Sequence, residues 1–270
     1  MHRCGKKIFI QHLAIEKIQF NYSQAIENND TYYSILNVTN IREVVLGVKA
    51  VADITWDFSS FEAQGWLENY CHEQYGAEVK KCVAQVYNSL YASYPKLDNK
   101  RISGSLLFID GMARMAGLNL IKLISGITIV QDLAPRWPVF ELCDLKTYAE
   151  RFYEISKNGL IEFKAAYSTS TEVLAKIPDN RKDYYITNVI VQLEIIIGLY
   201  SWLNYLAQIP TETEALKKKA LVYEAIFAME KLLVDRTKAE QGKWKNWYVG
   251  ETKFNLIQVL EDTKGLLSIV

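Results

Sequence analysis

The stretch Tyr32-Tyr-Ser-Ile-Leu-Asn-Val-Thr-Asn-Ile-Arg-Glu-Val-Val-Leu-Gly-Val-Lys-Ala-Val-Ala-Asp-Ile-Thr-Trp-Asp57 decides how this chain of 270 residues is read. Its first half, 32–38, is a short apolar run that predicts a β-strand. Its second half changes to helical spacing, with Ile41, Val44, Val45, Val48, Val51 and Ala52 on one face. Asn37-Val-Thr-Asn40 sits at the change of period, just past the carboxyl end of the strand. In α/β proteins that end is where ligands and catalytic groups collect.

Upstream, 7–13 reads as another strand through Ile8, Phe9, Ile10 and Leu13. Residues 15–28 read as an amphipathic helix with Ile15, Ile18, Tyr22, Ala25 and Ile26 on its stripe. Strand, helix and strand in so short a span make a βαβ unit with parallel strands. Parallel strands are buried on both faces and need neighbours on both edges. The remaining strand candidates, 105–109 and 126–130, are too few to supply them. Later strands, a partner chain or a larger parent protein could complete the sheet, and the last is the favoured expectation.

Downstream, helices dominate. Asn40 followed by Glu43 matches a capping box, and Ser59 with Glu62 matches a second. The second box opens a helix with Phe61, Trp66, Leu67, Tyr70, Cys71 and Tyr75 inward. The clearest helix follows, with Val79, Cys82, Val83, Val86, Tyr87, Leu90, Tyr91 and Tyr94 recurring until Pro95. Glycines 104, 111, 117 and 126 interrupt the next region and read as turns and close helix packing. Residues 145–157 and 160–176 read as an antiparallel helical pair around Asn158-Gly159. Further helices are expected up to Leu206, over 214–240 and over 252–267, with an aromatic turn between the last two.

Lys plus Arg equals Asp plus Glu at 31 each, and no long block of one sign exists. That argues against nucleic acid and anionic membranes as partners. The four cysteines (Cys4, Cys71, Cys82, Cys143) and three histidines (His2, His12, His72) lack the spacing of a metal site, and no cofactor motif is found. Cys71 and Cys82 fall on buried helix faces and read as packed thiols. The apolar run near the N-terminus is too short for a signal-peptide core, and localisation stays open. The run 186–206 is long enough to cross a bilayer, but Asn188, Gln192, Glu194 and Asn204 make a buried core helix the better reading.

Asn37, Asn40 and Glu43 are the candidates for ligand contact by position. Asn can donate to and accept from sugar hydroxyls, and Glu can carry acid/base chemistry, although Asn40 with Glu43 also reads as a cap. Asp53 and Asp57 stand one helical turn apart. A glycosidase places its two carboxylates on opposite sides of the scissile bond, so local capping explains this pair better. Trp244, Trp247 and Tyr248, interleaved with Lys243 and Lys245, read either as a sugar-stacking platform or as an aromatic corner closing a bundle.

At these residues the chain resembles glycoside hydrolase family 115, the xylan α-glucuronidase type. The family's strand-end pattern Asn-Val-Gly-Asp-Leu-Lys-Pro is similar to Asn37-Val-Thr-Asn-Ile-Arg-Glu43. Its Ala-Trp-Asp is similar to Thr55-Trp-Asp57, and its Trp followed by Glu-Gln-Phe-Gly to Trp66 and Glu73-Gln-Tyr-Gly76. Gly242-Lys-Trp244 matches a Gly-Lys-Trp near the family's C-terminus. Thr39, Asn40 and Glu43 stand where the family has Gly, Asp and Pro, and its His-containing segment is replaced by Lys245-Asn-Trp-Tyr248. The resemblance implies a mainly α chain, with a helical bundle-like domain over 41–270. Before it, 1–40 would be the terminal βαβ unit of an incomplete (β/α)8 barrel. It also implies a carbohydrate ligand of uronic-acid or xylan type, and catalytic carboxylates on barrel strands not in this chain. The alternative expectation is a non-enzymatic helical module that binds carbohydrate or protein.

Overall fold

The computed structural model describes residues 11–38, 41–97, 106–129, 137–252 and 254–270. It is mainly helical: α1 (Ile15–Glu27), α2 (Val45–Trp56), α3 (Ala63–Tyr75), α4 (Lys80–Ala92), β1 (Lys96–Leu97), β2 (Leu106–Leu107), α5 (Asp110–Ile124), α6 (Leu145–Leu174), α7 (Asp179–Tyr185), α8 (Val191–Gln208), α9 (Ala215–Thr237) and α10 (Leu256–Gly265). A π-helical turn, Ile186–Ile190, joins α7 to α8. The chain divides into two compact units, 1–92 with 166–192, and 93–165 with 193–270.

The first unit is organised by α3 and α4. On α3, Leu67, Tyr70, Cys71 and Tyr75 are buried; on α4, Val83, Val86, Tyr87, Leu90 and Tyr91. These are the stripes their sequence periods predict. Tyr75 and Tyr87 share a hydroxyl hydrogen bond of 2.8 Å, and Tyr70 and Tyr184 one of 3.1 Å. The hydroxyls are thereby paired inside an apolar layer, where an unmade bond would be costly. Cys71 is buried, and burial pushes its thiol well above the usual range. Cys82 and Cys143 are half-buried and unbridged, and Cys4 lies outside the described residues.

Helix starts are stitched by glutamines from other elements. Gln19 of α1 accepts from the Ala63 amide at 3.0 Å and donates to the Phe61 carbonyl at 2.9 Å. Gln11 accepts from the Gly47 amide in the first turn of α2 at 2.9 Å. Each satisfies an amide that a helix N-terminus leaves without an intrahelical partner. At α3 the expected Ser59–Glu62 box is not formed: Glu62 is itself the N-cap and accepts from the amides of Gln64 and Gly65 at 3.0 and 2.7 Å, while Ser59 donates to Asp57.

Neither expected N-terminal strand is found among the described residues. Residues 7–10 lie outside them, 11–14 are irregular, and 32–38 has no ladder partner. The unmet requirement for neighbouring strands is the physical reason. The helix predicted from Ile41 begins instead at Val45, and its buried positions are Leu46, Ala50 and Ile54. Ile41 is 50% exposed and Ala52 is exposed, so the apolar face is rotated from the one expected. An almost unbroken apolar run defines no unique stripe by itself.

In the second unit β1 and β2 form a minimal antiparallel pair, which places a strand inside the expected 105–109. No strand occurs over 126–129; there Gly126 turns the chain with φ 72°, and Val130 lies outside the described residues. The expected antiparallel pair over 145–176 is instead the single helix α6. Asn158-Gly159 makes no turn because the Tyr200 ring fills the space a side chain would take: a Cβ on Gly159 would lie 2.4 Å from it. Tyr200 also packs edge-on against Phe163 at 5.1 Å. Gly117 likewise admits Trp202, whose Nε1 donates to Thr263 at 2.9 Å. The run 179–211 is long and apolar enough to cross a membrane, and 67% of its most apolar window is buried within the protein.

Gly159→Ala is therefore expected to destabilise the protein by about 1–3 kcal/mol through overpacking, despite alanine's better helix propensity. Gly265→Ala, where a Cβ meets nothing within 4 Å, is expected to be neutral or stabilising. Urea unfolding midpoints of the two variants check the contrast.

Candidate functional site

The turn that leads into α2 is the most polar buried feature of the first unit. Arg42 and Glu43 stand side by side at 3% and 2% exposure, and Arg42 Nε donates to Glu43 Oε1 at 3.0 Å. Arg42 Nη1 donates to the Thr187 carbonyl at 3.4 Å, and Gln192 Nε2 to the Glu43 carbonyl at 3.2 Å. Thr187 lies within the π-helical turn and Gln192 just past it, where the regular ladder is interrupted. Asn188 Nδ2 and Thr187 Oγ1 donate to the Tyr184 carbonyl at 2.9 and 3.1 Å and cover an acceptor there. Back-bonding of this kind bends helices, and π-bulges are frequent at functional sites. Gln192 is 5% exposed, and its Oε1 has no hydrogen-bond partner among the described residues.

Glu43 is thus not a helix cap. The residue before α2 is Val44, which makes no side-chain cap, and the glutamate instead turns into the buried pair. Asn40 lies outside the described residues. Asn37 is exposed near the end of the irregular segment 32–38. The turn therefore has an exposed asparagine at its rim and a buried ionic clamp beneath. Such a clamp fixes the backbone but offers no carboxylate to a ligand, since the Glu43 side chain is 0% exposed.

Asp53 and Asp57 serve local structure. Asp53 Oδ2 accepts from Lys49 Nζ at 2.7 Å and Trp66 Nε1 at 2.8 Å. Partial burial raises its pKa, but these two bonds outweigh that and hold it below the usual carboxylate range. Asp57 Oδ1 gathers the Ser59 hydroxyl and the amides of Ser59 and Ser60 into the turn before α3, which also keeps its pKa low.

Trp244, Trp247 and Tyr248 belong to the second unit and form a corner between α9 and α10. The two tryptophan rings meet edge to face at 4.8 Å, both half-buried. Tyr248 is 6% exposed under the Arg236 guanidinium, 4.9 Å from its ring, and its amide donates to Glu240 at 2.9 Å. Lys243 Nζ lies 5.2 Å from the Trp244 ring. Tyr248 is spent on closing the corner, and the tryptophans keep partly open edges.

A groove of about 530 Å³ in the second unit is lined by Glu150, Tyr153, Gln208, Glu212, Lys217 and Glu224, among others. Sequence reasoning singled out none of these. Glu212 is committed to the amides of Glu214 and Thr213, which hold its pKa low. Among the described residues, no three His, Cys, Asp or Glu side chains are grouped to hold a metal ion. The missed cluster of Arg42, Thr187 and Gln192 did leave a signal. Adjacent opposite charges sit inside an apolar run, and polar residues interrupt the most apolar helix.

Arg42→Met leaves Glu43 buried without its guanidinium and is expected to cost about 3–5 kcal/mol in urea unfolding. The double variant Arg42→Met/Glu43→Leu is expected to recover most of that loss.

Residues 3–100 match the family model for Glycosyl hydrolase family 115. That stretch contains α1 to α4, the irregular segment 32–38 and the buried turn, but not the Gly242-Lys-Trp244 corner. No curated protein and no solved structure matches the chain. Over residues 3–100 the chain is similar to glycosyl hydrolase family 115, which makes it a glycoside hydrolase-related protein.

Proposed function

We propose that this chain is the C-terminal part of a carbohydrate-active, α-glucuronidase-like hydrolase acting on uronic-acid-decorated plant polysaccharide. In this reading 1–40 contributes the last βαβ unit of a (β/α)8 barrel and 41–270 is the helical domain that follows. The catalytic carboxylates sit on preceding barrel strands, so the chain is inactive alone. Asn37 at the barrel mouth hydrogen-bonds a sugar hydroxyl, and the Arg42–Glu43 clamp holds the turn that presents it.

The observation that carries this reading is the segment 32–38, which lies inside the family-matched stretch. It has no regular secondary structure and no ladder partner among the described residues, with Tyr32, Tyr33 and Ile35 at 96%, 80% and 76% exposure. In a strand, Tyr33 and Ile35 would point to one face and Tyr32 and Leu36 to the other. Apolar side chains on both faces are the signature of a strand covered on both sides in a parallel sheet. The Ser34 hydroxyl, 2.9 Å from the Tyr22 hydroxyl, already ties the segment to α1, as the helix of such a unit requires.

The test is titration of the 270-residue protein with glucuronic acid and glucuronic-acid-decorated xylo-oligosaccharides, followed by NMR of side-chain amides. The Asn37 amide is expected to shift, and Asn37→Ala to abolish binding, with no uronic acid released from decorated xylan. An Asn37 amide indifferent to both ligands contradicts the ligand assignment. Sustained uronic acid release by this chain contradicts the placement of the catalytic groups.

A further inference from the structure

Helix α9 is apolar on two opposite faces. Val222, Ala225, Met229 and Leu232 are buried in the second unit. On the outer side Leu216, Tyr223, Phe227 and Val234 are 82%, 60%, 63% and 65% exposed. Their spacing of seven, four and seven residues keeps all four within a narrow stripe along the helix. With Ala220 and Glu230 they fill six consecutive core positions of a heptad repeat. Soluble monomers rarely expose a contiguous apolar strip of this kind.

We propose that this stripe is a self-association surface, on which α9 of a second copy of the chain packs antiparallel across a two-fold axis. The arrangement of residues about Ala225 points to that occupant. Leu216 and Val234 lie nine residues to either side of it, and Tyr223 and Phe227 two residues to either side. A two-fold axis at Ala225 therefore sets each leucine opposite the partner's valine and each tyrosine opposite the partner's phenylalanine. Such an interface is isologous, with one patch used twice. An antiparallel coiled coil of this register also places Ala220 across from Glu230 of the other copy, so no large side chains collide there.

The charges fit on one edge and repel on the other. Lys219, exposed, falls on the same edge as Glu230 and meets it across the axis. Among the described residues Glu230 pairs with Lys264 at 3.7 Å. On the opposite edge Glu224 approaches its own copy near the axis, while Lys217 and Lys231 are already paired with Glu214 and Asp235. The contact is a short two-helix seam, at or below the roughly 1,200 Å² lower end of stable interfaces. The dimer is therefore reversible and dissociates on dilution.

Sedimentation equilibrium of the 270-residue protein, from roughly micromolar to hundreds of micromolar, tests this. The expected result is a monomer–dimer equilibrium. Phe227→Glu, at an exposed position, is expected to leave the helical circular dichroism unchanged and to abolish the dimer. Glu224→Gln should tighten the dimer several-fold by removing the repulsion at the axis. Lys219→Glu should weaken it, and Lys219→Glu/Glu230→Lys should restore it. A monomer at every concentration overturns the proposal and leaves the stripe to a different helical partner. A dimer indifferent to Phe227→Glu overturns it as well.

Discussion

A β-strand is held by hydrogen bonds along its edges and by side-chain cover on its faces, and residues 32–38 have neither along their length. Three large apolar side chains, Tyr32, Tyr33 and Ile35, stand in solvent there. Beside them Trp56, at the end of α2, is 91% exposed. The Thr55 hydroxyl donates to the Tyr22 hydroxyl, which also meets Ser34, so the segment and the ends of two helices are tied together. The stripes of α3 and α4, by contrast, are buried. The contrast gives the first unit its character: a helical core of α3 and α4, carrying an apolar segment that the described residues leave exposed.

Between those two regions lies the turn 41–44, whose burial explains the irregular helix across from it. The turn inserts the guanidinium of Arg42 toward the Thr187 carbonyl and receives the amide of Gln192 on its own backbone. Each backbone carbonyl has two lone pairs, and a π-helical turn, by interrupting the regular ladder, leaves the second one easier for a side chain to reach. The irregularity and the buried ion pair are thus one feature seen from two sides. A pair of this kind adds little net stability over apolar substitutes, while loss of one member is severe, so its value is in fixing one backbone conformation.

Elements whose apolar positions are separated by polar ones were legible in the sequence. The stripes of α3 and α4 and the extent of α9 fall close to where spacing put them. The α2 stripe was not legible, because valines and alanines on every side of the helix give no contrast. The Asn158-Gly159 pair misled for a different reason: local turn chemistry is overridden when a distant side chain, here Tyr200, needs the space a glycine leaves. Caps supplied from afar by Gln11 and Gln19 leave no local signature either. Of the candidate ligand residues, Asn37 is exposed but ends no strand, whereas the burial of Glu43 depends on a helix far away in the chain.

The central claim, that 32–38 is a sheet strand lacking its neighbours, is tested most directly by amide hydrogen exchange. In this 270-residue protein the amides of 33–38 are predicted to exchange within the fastest class, while those of α4 around Val86 stay protected. On the proposed reading, supplying neighbouring strands by fusing an α/β barrel portion before residue 1 is predicted to slow the 33–38 amides to the rate of the core. Protection of 33–38 equal to that of α4 in the chain alone would contradict the account.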